Sequence, residues 1–125
     1  MRTVFWEDNQ LKMIDQRILP GRFEVLSFKD HTAVARAIKD MVVRGAPAIG
    51  AAAAFGLALA GYASAATSSR ELLNDLQAAA DILKAARPTA VNLAWAVDKV
   101  MWVAEKMKDE RSADELRQLV LSAAQ

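Results

Sequence analysis

Two segments of the chain place an arginine at a proline break that precedes a new helix. The first is Met41–Gly50, which reads MVVRGAPAIG, and the second is Arg87–Leu93, which reads RPTAVNL. Backbone N–H groups without partners gather at the start of a helix, where the helix dipole is positive, and a neighbouring guanidinium adds hydrogen bonds to anionic oxygens. The two junctions therefore predict phosphate binding, and together they could hold one anion.

The first junction carries the stronger local features. Gly45 allows a backbone bend that a side chain would resist, and Pro47 suits the first turn of a helix, where its missing N–H is not needed. The N–H groups of Gly45, Ala46 and Ala48 would then cluster beside Arg44. An alternative stays open at both junctions, because an arginine at a helix end is often only a surface residue that interacts favourably with the dipole.

The first thirty residues, which precede these junctions, are predicted to form a small antiparallel sheet. Turn-forming pairs at Asp8–Asn9 and Pro20–Gly21 separate short apolar runs, as is usual in hairpins. The expected strands are Val4–Trp6, Leu11–Ile14 and Phe23–Leu26.

Residues 31–125 are predicted to form a bundle of about five helices, so the fold class is mainly α with a small N-terminal sheet. The first helix is expected over Ala33–Met41, and the second from Pro47 to about Ala66. A third helix should stop at Arg87, because the residue before a proline disfavours helical geometry. The expected caps are Asp30 or Thr32, Ser68 or Ser69, Thr89 and Ser112.

The second helix lies in residues 45–69, a stretch without any charged residue. This stretch is long enough to cross a membrane, but alanine dominates it and the strongly apolar residues are sparse. Gly50, Ala54 and Ala58 recur every four residues, a spacing that lets a neighbouring helix approach closely. We therefore expect a helix buried inside a bundle rather than in a membrane.

Composition restricts the function classes further. The chain has 125 residues, enough for one domain with a core, and a net charge of +1 from 16 basic and 15 acidic residues. It has no basic block, which argues against a nucleic-acid surface. It has no cysteine, its single histidine is His31, and its start lacks a signal-peptide pattern. We therefore expect a cytoplasmic protein without a metal site.

Three motifs in this order resemble those of the methylthioribose-1-phosphate isomerases. They are Asp15–Pro20 (DQRILP), MVVRGAPAIG with the alanine run after it, and RPTAVNLAWAVD. These enzymes share a superfamily with the regulatory subunits of translation initiation factor eIF2B and with ribose-1,5-bisphosphate isomerase. The resemblance covers the chain from about Val4 to its last residue, and the complete RPTAVNL favours the isomerase branch.

The resemblance implies that residues 1–125 are the N-terminal, substrate-binding domain of a two-domain protein. The family's catalytic cysteine and aspartate belong to a Rossmann-like C-terminal domain that this chain does not contain, so no catalytic residue is carried over. Arg44, Gly45 and Ala46 match the family's RGA, which contacts the sugar phosphate, and Arg87 matches the arginine of RPTAVNL, which helps to hold it.

The implied reaction converts 5-methylthioribose 1-phosphate to 5-methylthioribulose 1-phosphate in methionine salvage, with no metal or organic cofactor. The expected partners are the sugar phosphate, the C-terminal domain and a second copy in a full-length homodimer, but neither nucleic acid nor a membrane.

Three alternatives stay open. The chain could belong to a related sugar-phosphate isomerase such as ribose-1,5-bisphosphate isomerase, or to an eIF2B-like regulatory or assembly module that binds a ligand without turnover. It could also be a helical interaction domain whose arginine junctions are only structural.

Overall fold

The computed structural model of the protein describes residues 4–15, 17, 24–40, 42 and 45–125. These residues form a three-stranded antiparallel sheet followed by five helices, as the sequence predicts. The strands are β1 (Val4–Glu7), β2 (Gln10–Ile14) and β3 (Val25–Phe28), in the order β1-β2-β3. The helices are α1 (His31–Lys39), α2 (Ala46–Ala63), α3 (Ser69–Ala86), α4 (Val91–Met107) and α5 (Ala113–Ala124).

The third strand lies two residues later than the expected Phe23–Leu26. Its register explains the shift, because Leu26 pairs with Met13 and Phe28 pairs with Leu11. Both strand residues are partly buried against the core, whereas the residues that alternate with them are exposed. Pairing with the two buried β2 residues therefore determines that Leu26 and Phe28 are the β3 residues that face the core.

The sheet covers one side of α2 through an aromatic contact. The ring of Trp6 in β1 stacks on Phe55 with 5.7 Å between centroids, and the ring of Tyr62 lies 6.5 Å away. Leu11 and Met13 of β2 are fully buried beside them. The sheet thus closes the apolar surface of α2 that the other helices leave uncovered.

Helix α2 is the centre of the bundle and supplies more fully buried residues than any other element, as the alanine-rich sequence predicts. Small residues allow its neighbours to come close. A β-carbon placed on Gly56 would lie 3.0 Å from a methyl of Leu83 in α3 and 3.2 Å from one of Val34 in α1. None of the described helices combines the length and apolar character needed to cross a membrane.

Three of the helices begin at side-chain caps that the sequence predicts. Asp30 accepts a hydrogen bond from the N–H of Ala33 (2.8 Å), and Ser68 accepts one from Glu71 (3.2 Å). Ser112 and Glu115 exchange hydrogen bonds in a capping box. Each cap pairs a backbone donor that the first turn of the helix would otherwise leave without a partner.

The predicted cap at Thr89 is wrong. Residues 87–90 form a turn closed by a hydrogen bond from the N–H of Ala90 to the carbonyl of Arg87 (2.9 Å), so Thr89 lies inside that turn. Helix α4 therefore begins one residue later, after Ala90. Helices α1 and α2 also end earlier than predicted, at Lys39 and Ala63.

Candidate anion-binding end

Helices α2 and α4 run parallel and begin at the same end of the bundle. A β-carbon placed on Gly50 would lie 3.2 Å from the carbonyl oxygen of Asn92 and 3.3 Å from the β-carbon of Ala96. Gly50 is the fifth residue of α2 and Asn92 the second of α4, so the two helix starts differ by three residues, or about 4.5 Å along the axis. The positive ends of both dipoles thus lie side by side.

The start of α2 has the geometry that RGAP predicts. Gly45 is the N-cap with φ of 94°, a left-handed conformation that glycine adopts at little cost. Its carbonyl accepts the first helical hydrogen bond, from Ile49 (3.0 Å), and Pro47 lies in the first turn. The N–H groups of Ala46 and Ala48 precede that bond and have no acceptor within the helix.

The start of α4 lies next to Arg87, the C-cap of α3. Arg87 is half-buried, and the turn from Arg87 to Ala90 reverses the chain before Val91 begins the helix. Helix α3 runs antiparallel to α2, since Leu76 lies near Gly61 and Leu83 near Gly56. The structure therefore brings Arg87 to the end of the bundle where α2 begins.

The two starts at this end share a feature that sets them apart from the others. Neither Gly45 nor Ala90 has a side chain that can accept a hydrogen bond, whereas α1, α3 and α5 have Asp30, Ser68 and Ser112. We call the end with Gly45 and Ala90 the uncapped end, and the opposite end, where α1, α3 and α5 begin, the capped end. Donors at the uncapped end remain available to an anion.

Of the four predicted binding residues, Gly45, Ala46 and Arg87 lie at the uncapped end. Arg44 lies outside the described residues, so its placement beside them stays a prediction. It immediately precedes Gly45 in the chain.

A shallow groove of about 170 Å³ runs from the uncapped end along the seam between α2 and α4. It begins at Pro47 and Asn92, and small residues of both helices form its floor. The exposed ring of Trp95 and the side chain of Lys99 stand on its α4 side. The groove gives a ligand held at the uncapped end an apolar surface next to its anionic group.

Sequence reasoning missed a charged pair, Asp15 and Arg17, that follows β2. Val4 pairs with Met13 and lines a cavity with Ala51 of the second turn of α2, so β2 runs toward the uncapped end. Asp15 is buried, and its carboxylate accepts hydrogen bonds from Nε (3.0 Å) and Nη2 (2.8 Å) of Arg17. The side-chain hydrogen bond from Arg17 lowers the pKa of Asp15; the backbone N–H and charge of Arg17 act the same way, and burial opposes them. The sequence signal for this pair is an acidic and a basic residue two positions apart, directly after an apolar strand.

The described groups at this end are suited to binding an anion rather than to proton transfer. A carboxylate that a guanidinium holds ionised is a poor general acid or base near neutral pH. In the described part of the chain, no three histidine, aspartate or glutamate side chains come together as metal ligands. The uncapped helix starts and Arg87 can supply hydrogen bonds and positive charge to an anion.

Comparisons with known proteins show that this chain is similar to methylthioribose-1-phosphate isomerases. The methylthioribose-1-phosphate isomerase of Synechococcus sp. is 48% identical over 99% of this chain. The crystal structure of 5-methylthioribose 1-phosphate isomerase from Pyrococcus horikoshii superposes on 98% of this chain with a TM-score of 0.93 and 46% identity. The chain covers 35% and 34% of those two proteins, or about a third of each.

A second solved structure is also similar to this chain. The translation initiation factor eIF-2B subunit delta from A. fulgidus matches 99% of this chain with a TM-score of 0.90 and 41% identity, and the chain covers 35% of it. Residues 42–125, which include Gly45, Ala46 and Arg87, match the initiation factor 2 subunit family. The resemblance seen in RGAPAIG and RPTAVNL is therefore confirmed, and the chain belongs to the initiation factor 2 subunit family.

Proposed function

We propose that this chain is the N-terminal, phosphate-binding domain of an isomerase that converts 5-methylthioribose 1-phosphate to 5-methylthioribulose 1-phosphate. The observation that carries the proposal is the uncapped end, where two parallel helices start without side-chain caps. In the sequence, an arginine lies one residue before Gly45 and another lies three residues before Ala90. Relatives named methylthioribose-1-phosphate isomerase, 42–52% identical to this chain, support this substrate.

In this proposal, Arg44 and Arg87 hold one phosphate of the substrate, and the N–H groups around Gly45 and Ala46 fix its orientation. The phosphate on C1 prevents the sugar ring from opening as a free aldose would. The enzyme must open the ring and move hydrogen between C1 and C2 in a site shielded from water. This domain would clamp the phosphate and so position the sugar for that step.

The proton-transfer groups would come from a second, Rossmann-like domain of the full-length protein. Relatives about three times as long as the matched region leave room for such a domain. We further propose that the full-length protein is a cytoplasmic homodimer and functions in methionine salvage.

The test compares the 125-residue chain with the full-length protein that contains it. Full-length protein should convert 5-methylthioribose 1-phosphate, whereas the purified 125-residue chain should bind phosphate without turnover. Turnover by the 125-residue chain alone would show that the chemistry lies within these residues. If the full-length protein, with its active site intact, does not convert the substrate, the proposed isomerase activity is refuted.

A regulatory or assembly module is the second candidate, since the eIF-2B subunit delta shares this fold with a TM-score of 0.90. A full-length module of that kind would bind a sugar phosphate or a nucleotide and leave it unchanged. Product analysis by NMR after long incubation separates the two functions. A protein that binds no phosphate at all would instead be the purely structural helical domain.

A further inference from the structure

Helix α4 carries two exposed tryptophans with nearly the same local surroundings. Trp95 is 64% exposed and Trp102 is 61% exposed. Each ring has a lysine four residues later whose Nζ lies over it, Lys99 at 5.1 Å and Lys106 at 4.8 Å from the ring centroid. The two tryptophans differ in position. Trp95 lines the groove between α2 and α4, whereas Trp102 lies two turns further from the uncapped end.

The floor of this groove is made of small apolar residues. They are Gly50, Ala51 and Ala54 of α2 and Ala96 and Val100 of α4. Their backbone groups lie within the two helices and take part in helical hydrogen bonds. A hydroxyl or a charged group placed on this floor would therefore lose water without gaining a hydrogen bond, whereas an apolar group would not.

The size of the groove limits what it can bind. Its volume is about 170 Å³, whereas a pocket that encloses a small molecule usually measures about 300–1,000 Å³. It can therefore take one substituent of a ligand whose other groups are held elsewhere. Pro47 and Asn92 line it where α2 and α4 begin, so one end of the groove adjoins the proposed anion donors.

The ring of Trp95 is within reach of a ligand at the uncapped end. Trp95 is the fifth residue of α4, so its Cα lies about 6 Å along the helix axis from that of Val91. Long side chains of a helix lean toward its N-terminus, and the ring therefore covers the turn before its own Cα. This separation is comparable to that between the substituents on C1 and C5 of a pentose.

A thioether suits this surface. The methylthio group on C5 of the proposed substrate has no hydrogen-bond donor, and its sulfur is only a weak acceptor. A thioether sulfur also makes favourable contacts with an aromatic ring. The methyl group could lie on the apolar floor while the sulfur contacts Trp95. A hydroxyl or a second phosphate on C5 would find no such match.

Lys99 also lines the groove, and an ammonium that pointed into it would attract a second phosphate. Instead its Nζ lies over the ring of Trp95, where cation–π attraction holds it. Lys106 makes the same contact with Trp102, two turns away, so this pairing does not depend on the groove. The position of Lys99 therefore does not indicate a second anion.

We propose that Trp95 is a specificity-determining residue: together with the floor of the groove, it binds the methylthio group of 5-methylthioribose 1-phosphate while the phosphate lies at the uncapped end. The role rests on the proposed function of that end. It adds a contact that selects the substituent on C5 of the sugar.

The experiment titrates the 125-residue chain with 5-methylthioribose 1-phosphate, ribose 1-phosphate and ribose 1,5-bisphosphate, and follows amide and indole N–H shifts by NMR. Wild-type chain should bind the methylthio sugar about tenfold more tightly than ribose 1-phosphate, within the range for an apolar group in an apolar site. Trp95→Ala should weaken binding of the methylthio sugar by about threefold to tenfold and leave that of ribose 1-phosphate nearly unchanged.

Trp102→Ala is the matched control. It removes an equally exposed ring and its lysine contact from the same helix, so the preference for the methylthio sugar should keep its wild-type value. Ala51→Leu tests the groove from α2, because leucine is also a good helix former but would fill the floor. It should weaken binding of the methylthio sugar more than that of ribose 1-phosphate. Melting temperatures show whether each variant remains folded.

The contrary outcomes separate this role from the function on which it rests. Equal affinity of wild type and Trp95→Ala for the methylthio sugar refutes the role of Trp95, and binding of ribose 1-phosphate would still support the anion site. Equal weakening of both sugars in Trp95→Ala would mean that Trp95 does not select the substituent. Tightest binding of ribose 1,5-bisphosphate, lost in Lys99→Ala, would assign the groove to a second phosphate. Wild-type chain that binds none of the three refutes the anion site and the role of Trp95 together.

Discussion

The two ends of the helical bundle satisfy their backbone groups in opposite ways. At the capped end, three helix starts have polar side chains, Asp30, Ser68 and Ser112, that accept hydrogen bonds from the first turn. At the uncapped end, α2 and α4 start at Gly45 and Ala90, which offer no such acceptor. Side chains of the bundle thus accept hydrogen bonds from the helix starts at the capped end. At the uncapped end, the N–H groups of the helix starts remain available to an acceptor from elsewhere.

The capped end is also closed at the terminus of α2. Arg117 of α5 donates from Nε to the carbonyl of Gly61 (2.7 Å) and from Nη2 to those of Ser64 (2.9 Å) and Ala66 (2.8 Å). A cation there suits the negative end of the helix dipole. A side-chain cap stabilises a helix by about 1 kcal/mol relative to alanine, whereas glycine at the N-cap loses little, so the start at Ala90 costs more stability than the start at Gly45. A ligand that binds the folded chain can return that stability.

Loss of Arg117 should give the largest effect. Arg117→Ala removes three hydrogen bonds from a charged donor and leaves carbonyls at the end of α2 without that partner, so we expect about 3 kcal/mol of lost stability. Urea unfolding measures the change, and phosphate affinity of the protein that remains folded should be unaltered. Weaker phosphate binding in the folded fraction would mean that the two ends are not independent.

Loss of Arg44 or Arg87, the arginines of the two predicted phosphate motifs, should lower activity more than stability. In the proposed full-length isomerase, Arg44→Ala or Arg87→Ala should cost about 1.5–3 kcal/mol in transition-state binding, the range for a hydrogen bond to a charged group. Because both would hold one phosphate, the double variant should depart from additivity, and lysine should rescue only in part. Steady-state kinetics and melting temperature are measured together. A near-normal kcat/KM in both single variants would refute the proposal that these arginines bind the substrate phosphate.

Adding an N-cap side chain at the uncapped end should increase stability and weaken phosphate binding. Ala90→Ser places a hydroxyl where it can accept from the first turn of α4, which should stabilise the chain by about 1 kcal/mol and weaken phosphate binding. The matched removal, Ser112→Ala in α5, should cost about 1 kcal/mol and leave phosphate binding unchanged. Unfolding curves and phosphate titrations of both variants test the pair. Stronger phosphate binding by Ala90→Ser would show that the N–H groups in the first turn of α4 are not part of the phosphate site.

Local signals made the capped end predictable from sequence. Ser68 and Ser112 precede apolar helical patterns, and the prediction of both caps is confirmed. The burial of α2 also followed from its lack of charge and its rows of small residues. These features depend on neighbours in the chain, which is why periodicity and capping chemistry suffice to find them.

Features that depend on distant contacts were harder to predict. Thr89 has the right chemistry for a cap, but the turn from Arg87 to Ala90 takes it out of position. The Asp15–Arg17 pair is close in sequence, yet the burial of Asp15 depends on how the sheet packs against the helices, which the local sequence does not specify. The phosphate motifs were read from sequence, but only the parallel packing of α2 and α4 places their starts at one end.

The smallest expected effect is on the unfolding free energy at low pH. It compares one carboxylate near each end of the bundle. The hydrogen bond from Arg17 lowers the pKa of Asp15 below its ordinary value of 3.8, and the hydrogen bonds of Ser112 lower that of Glu115. A carboxylate with a lowered folded-state pKa adds stability that is present above the ordinary value and is lost as the pH falls through the folded-state value.

Asp15→Asn should therefore reduce stability at pH 7 and make the unfolding free energy fall less steeply than in wild type below pH 4. Glu115→Gln should change the acid slope less, because Glu115 is exposed and water screens its interactions, whereas Asp15 is buried. Urea unfolding of the three proteins between pH 7 and pH 3 gives the comparison. An Asp15→Asn variant with the wild-type acid slope would mean that the buried pair at the uncapped end contributes no pH-dependent stability.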